Sequence, residues 1–147
     1  MAYKPMTEDP DAAMRDRRER LYWMTLLSGL ANAALMTLHL AGLNFLLTAW
    51  LIGGMAGSLI VAGIRGNTDG YYQSLVAVGM RWAMFALGVM LFLVWAVRDT
   101  GLFTRLMPWA VTLSQDGYLF ALILGLAFHL GYAFAYLKDQ VLFRRMS

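Results

Sequence analysis

From Leu21 to Ile64 the chain runs for 44 residues without an Asp, Glu, Lys or Arg. As one helix, at 1.5 Å per residue, that stretch would reach about 66 Å, roughly twice the hydrocarbon thickness of a bilayer. It must therefore turn back on itself. Ala41 to Asn44 (AGLN) supply the Gly and Asn that accept turn geometry. The expectation is a hairpin of two apolar helices, about 21–41 and 45–64.

The remainder of the chain repeats this logic. Only 14% of the residues are charged, against about a quarter in a soluble domain. The charges gather in 4–20, 65–69, 98–105 and 138–145, with Arg81 and Asp116 outside those clusters. Two more apolar runs, about 73–97 and 118–137, are long enough to cross a bilayer. The fold class is all-α: a polytopic membrane protein with four transmembrane helices as two hairpins. A cytoplasmic charged helix, 1–20, precedes the membrane domain of 21–137, and a basic tail, 138–147, follows it. The connection 98–117 alternates Leu102, Phe103, Leu106, Met107 and Trp109 with polar residues. That pattern suits a segment lying in the outer interface or dipping into it.

Orientation follows from the positive charges. With the N-terminus inside, Lys4, Arg15, Arg17, Arg18, Arg20, Arg65, Arg81, Lys138, Arg144 and Arg145 fall on the cytoplasmic side, against Arg98 and Arg105 outside. Ten against two is a strong positive-inside bias, and an even number of spans also places both termini inside. The bacterial cytoplasmic (inner) membrane is the expected location. Asp9 as N-cap and Pro10 at the first helical position open the N-terminal helix, which is expected to run on into the first span. Arg17, Arg18, Arg20, Arg144 and Arg145 are placed to meet anionic lipid headgroups. The net charge of +3 is thus explained without nucleic acid. With no cysteine, disulfides and thiolate-held clusters are excluded.

Polar residues inside the spans carry the functional question. In the first span Thr25, Ser28, Asn32 and His39 share one helical face. In the last, Tyr118, Gly125, His129, Tyr132 and Tyr136 form a second stripe, and Ala127, Gly131 and Ala135 a separate small-residue seam. Gly53 and Gly57 stand at GxxxG spacing, the pattern that lets helix backbones approach closely. Packing accounts for all of these. An intramembrane histidine is also a candidate ligand, and His129, with Gly125 one turn before it, could carry a chlorophyll-type pigment or haem. His39 and His129 do not suit one bis-histidine haem, because their depths differ by about 13 Å.

The nine acids all lie outside the spans, so the buried carboxylate of a coupled carrier is missing. No nucleophile motif or paired metal-ligand spacing argues for an enzyme or a metal site. His39 could meet Asp99 or Asp116 at the outer surface as an acid–base pair. The leading expectation is a non-catalytic membrane subunit or assembly partner, without a resident cofactor, working with other integral membrane subunits or copies of itself. The alternatives are a pigment- or haem-binding component with His129 as axial ligand, and a small oligomeric channel or carrier using the first-span stripe.

Overall fold

A computed structural model describes residues 10–43, 46–64, 69–99 and 108–146, and among them every element is helical. The elements are α1 (Pro10–Leu40), α2 (Leu46–Gly63), α3 (Gly70–Asp99), α4 (Pro108–Gln115) and α5 (Gly117–Met146). Three of them are long and apolar enough to cross a membrane, over Glu19–Leu40, Gly70–Val97 and Gly117–Val141; the apolar part of α2, Thr48–Gly63, is shorter.

Helix α1 joins the charged N-terminal segment and the first span in one rod starting at Pro10, as the sequence suggests. Its end is a Schellman motif: Leu43 N–H bonds Leu38 O at 2.9 Å and Gly42 N–H bonds His39 O at 3.0 Å. Gly42 takes φ of 67°, the left-handed conformation that a residue with a Cβ resists. The chain turns here, inside the AGLN segment, although Asn44 lies outside the described residues.

Two helix starts differ from expectation, and aspartate caps explain both. Helix α3 begins at Gly70 rather than near Gln73, because Asp69 Oδ1 accepts the Tyr72 N–H at 2.8 Å. Helix α5 begins at Gly117, where Asp116 Oδ1 accepts the Leu119 N–H at 2.9 Å. The 138–147 tail is likewise not separate, since α5 continues without a break to Met146. Within the 98–117 connection, α3 extends to Asp99 and Pro108 opens α4, the position where its missing N–H costs nothing. Ala110 and Leu113 of α4 are buried, while Trp109 is exposed, and α4 packs on α3 and α5. Residues 100–107, which hold Leu102, Phe103, Leu106 and Met107, lie outside the described residues.

Helix α5 is the hub, packed on α1, α3 and α4, whereas α2 leans chiefly on α1. Close approach rests on glycine. A Cβ on Gly29 would sit 3.0 Å from His129 Cβ, and one on Gly79 2.8 Å from the Phe128 carbonyl oxygen. Gly131, in the predicted small-residue seam, faces Trp82 of α3. Tyr72, Leu75, Val76, Phe128 and Tyr132 form the core between α3 and α5. Burial is inverted relative to a soluble protein. Thr25, Ser28, Asn32, Ser58 and His129 are buried, while Trp50, Phe85, Leu30 and Met84 are exposed. An apolar exterior around a polar interior suits a bilayer, where polar groups must find partners inside the bundle.

Candidate functional site

The two polar stripes turn out to be opposite sides of one interface. Helices α1 and α5 run antiparallel in constant register: Tyr22 meets Tyr136, Gly29 meets His129, Asn32 meets Gly125 and His39 meets Tyr118. Leu35 and Leu122, both buried, fall at the matching step between the last two pairs. The sequence displayed each stripe; it did not display that they face each other.

At the Asp69 end the seam is fully bonded. Tyr22 Oη–H donates to Asp69 Oδ2 at 2.7 Å. The Thr25 hydroxyl donates to Leu21 O at 3.0 Å, so Tyr72 Oη–H is the donor in its 3.0 Å bond with Thr25 Oγ1. Tyr22 also touches the Tyr71, Tyr72 and Tyr136 rings, which makes this end a tyrosine cage. Neither Asp69 nor Tyr22 stands out in the sequence as a site residue. The signal available was Asp69's position just before an apolar run, where an aspartate can cap a helix.

Deeper in, satisfaction fails. Asn32 and Tyr132 are fully buried, and Asn32 Nδ2, Asn32 Oδ1 and Tyr132 Oη have no hydrogen-bond partner among the described residues. His129 Nδ1–H donates to Gly125 O at 2.7 Å, which leaves the Nε2 lone pair facing Ser58 Oγ at 3.4 Å. Ser58 already donates its proton to Met55 O at 2.9 Å, so that imidazole nitrogen is poorly served.

Gly125 makes room for something other than a macrocycle. A Cβ built there would lie 2.5 Å from Asn32 Nδ2 and 3.8 Å from Met55 Sδ, so the Asn32 amide fills the space a pigment on His129 was expected to use. His129 itself is only 3% exposed. His39 is far from it along the seam and belongs to a different site. Among the described residues no three His, Asp or Glu side chains gather to hold a metal.

That second site closes the other end of the seam. His39 Nε2–H donates to Asp116 Oδ2 at 2.6 Å, and the Tyr118 ring packs edge-on against the imidazole at 4.9 Å. The pair borders a cleft of about 290 Å³ lined by Leu35, Leu38, His39, Leu43, Thr48, Ile52 and Tyr118. Of the two acids expected to approach His39, Asp116 is bonded to it; the side chain of Asp99 lies outside the described residues. The dyad can hold or pass a proton. Asp116 is held below the usual carboxylate range, first by the Leu119 N–H and then by His39. The ionised form is therefore favoured by folding. Its stabilisation is fully present above the ordinary Asp value of about 4 and fades as pH falls through the lowered native value. Asp116→Asn is expected to unfold at a lower temperature than the wild type at pH 7, with the gap closing near pH 3. A gap that is the same at both pH values would show that the charge plays no part.

Of the expected lipid contacts, Arg20 is exposed as required; the side chains of Arg17, Arg18, Arg144 and Arg145 lie outside the described residues. The chain matches no protein-family model, no curated protein and no solved structure.

Proposed function

We propose that this chain is a non-catalytic integral membrane subunit of a larger assembly. On this reading α2 is a fourth span, both termini are cytoplasmic, and the membrane is the bacterial inner membrane. The positive-inside bias supports the orientation. The 18 residues of α2, about 27 Å as a helix, support a further crossing.

One contrast carries the functional reading. Gly29, Gly79, Gly125 and Gly131, on α1, α3 and α5, are all filled by side chains or backbone of a neighbouring helix. Gly53, Gly54 and Gly57 of α2 have nothing within 4 Å of a Cβ position, and Trp50 one turn away is 80% exposed. In lipid, helices associate through close backbone approach at small residues rather than by hydrophobic burial. The open face of α2 therefore fits a transmembrane helix of a partner, and its polar atoms are too few for a substrate site. The buried polar seam then serves to hold the subunit's own helices in register.

Extraction in a mild detergent followed by sizing tests this. The wild-type chain should migrate in a species larger than its 16.5 kDa monomer. Gly53→Ile with Gly57→Ile should release the monomer without changing its thermal unfolding, because both Cβ positions open to empty space. A wild-type chain that is strictly monomeric and free of partners would refute the reading.

A further inference from the structure

The unsatisfied atoms of the α1–α5 seam are not scattered. Tyr132 Oη and the Asn32 amide, without partners among the described residues, flank His129, whose Nε2 meets Ser58 Oγ at 3.4 Å; the bonded Tyr22–Asp69 and Tyr72–Thr25 pairs come next along the interface. Each buried orphan costs about 1–3 kcal/mol unless something bonds it, and in a bilayer no outside solvent can. Orphaned groups on both sides of a histidine whose Nε2 has only a long serine contact describe a lining.

The chemistry of that lining selects its occupant. Phenols, hydroxyls, a carboxamide and an imidazole each donate or accept single hydrogen bonds, which suits water. A bare cation would need several carboxylates or a ring of carbonyls, whereas the carboxylate of the seam, Asp69, is already bonded to Tyr22 and the Tyr72 N–H. Asp69 begins the file and His129 lies near its far end, while Tyr22, Tyr72, Thr25 and Tyr132 can relay. Beyond Asn32 the lining stops: Leu35 is 2% exposed and Leu122 fully buried, and the next polar group is His39 with Asp116.

We propose that the seam binds a short file of water and carries protons between the Asp69 end of the bundle and His129, with Leu35 and Leu122 sealing it from the His39–Asp116 dyad. A proton entering at Asp69 passes along O–H bonds that form and break in sequence, and comes to rest on His129 Nε2. It leaves by the same route, so no oxidant, reductant or other reactant is consumed. Two buried apolar side chains at one level of the seam form a barrier to water, as in hydrophobic gates.

The seal makes the proposal testable by a gain of function. In liposomes loaded with a pH-sensitive dye and driven by a potassium diffusion potential, the wild-type chain should stay tight. Leu35→Asn should raise proton entry at least about tenfold by wetting the gate, and Leu122→Asn, on the facing helix, should do the same. Adding His129→Leu to either should restore tightness, and sodium flux should not change throughout. If both asparagine variants are as tight as the wild type, or their leak ignores His129→Leu, the path does not exist. Water-edited solid-state NMR on the unaltered protein in lipid gives a readout independent of any variant's folding. Magnetisation should pass from water to Asn32 Nδ2 and the Tyr132 ring as rapidly as to exposed Arg20, and no transfer to either would overturn the proposal.

Discussion

Gly79→Leu is expected to be among the most damaging single substitutions in the bundle. A Cβ at this position would lie 2.8 Å from the Phe128 carbonyl oxygen and 2.9 Å from two carbons of its ring. The ring could rotate, but the carbonyl is part of the α5 backbone and can move only if the helix does. Helices α3 and α5 would have to separate along the core of Tyr72, Leu75, Val76, Phe128 and Tyr132. Overpacking of this kind costs about 1–3 kcal/mol, and more where backbone is the obstacle. Thermal unfolding in detergent should show a clear loss of stability, with Gly79→Ala already impaired. Gly131→Ala should also be impaired, because its Cβ would lie 2.7 Å from Trp82 Cγ and 2.9 Å from Trp82 Cβ, and the Cβ is fixed to the α3 backbone. Gly53→Leu is the control, since nothing stands near its Cβ position. Equal unfolding temperatures for Gly79→Leu and Gly53→Leu would mean that the α3–α5 spacing is not what glycine sets.

Asp69→Ala is expected to have the next largest effect, because one carboxylate performs two tasks. Its Oδ1 caps α3 through the Tyr72 N–H, and its Oδ2 accepts the Tyr22 phenol of α1, so it ties two helices at one end of the seam. Loss of an N-cap costs about 0.5–2 kcal/mol and loss of a charge-assisted hydrogen bond about 1.5–3, and shared context makes the total less than their sum, about 2–3 kcal/mol. Asp69→Asn keeps a capping oxygen but forfeits the charge, and should fall between wild type and Asp69→Ala. The tyrosine cage offers a second readout, for near-UV dichroism from Tyr22, Tyr71, Tyr72 and Tyr136 should weaken in proportion. An alanine variant with unchanged unfolding and an unchanged tyrosine signal would rule out this tie as a structural element.

How far the sequence could be read depended on the range of the signal. The hairpin at Gly42, the start at Pro10 and the polar face of Thr25, Ser28, Asn32 and His39 were all visible, because each depends on residues within a few turns. The starts of α3 and α5 were misplaced by one to three residues. Asp69 and Asp116 read as loop charges until their oxygens were seen on the amides of Tyr72 and Leu119. Gly125 was legible as a position that makes space, but not as space for Asn32. That assignment needs the register between helices separated by some ninety residues of chain.

By itself the sequence determined the solvent of this protein: a 44-residue uncharged stretch and segregated charges demand hydrocarbon, and helical period sorts polar residues onto faces. Only the tertiary structure decided which faces meet. Hydropathy and period are properties of one helix, whereas the antiparallel register of α1 on α5 comes from side chains of one filling gaps in the other. That register is what joins His39 to Asp116 and sets the Asn32 amide against Gly125, buried without a hydrogen-bond partner among the described residues.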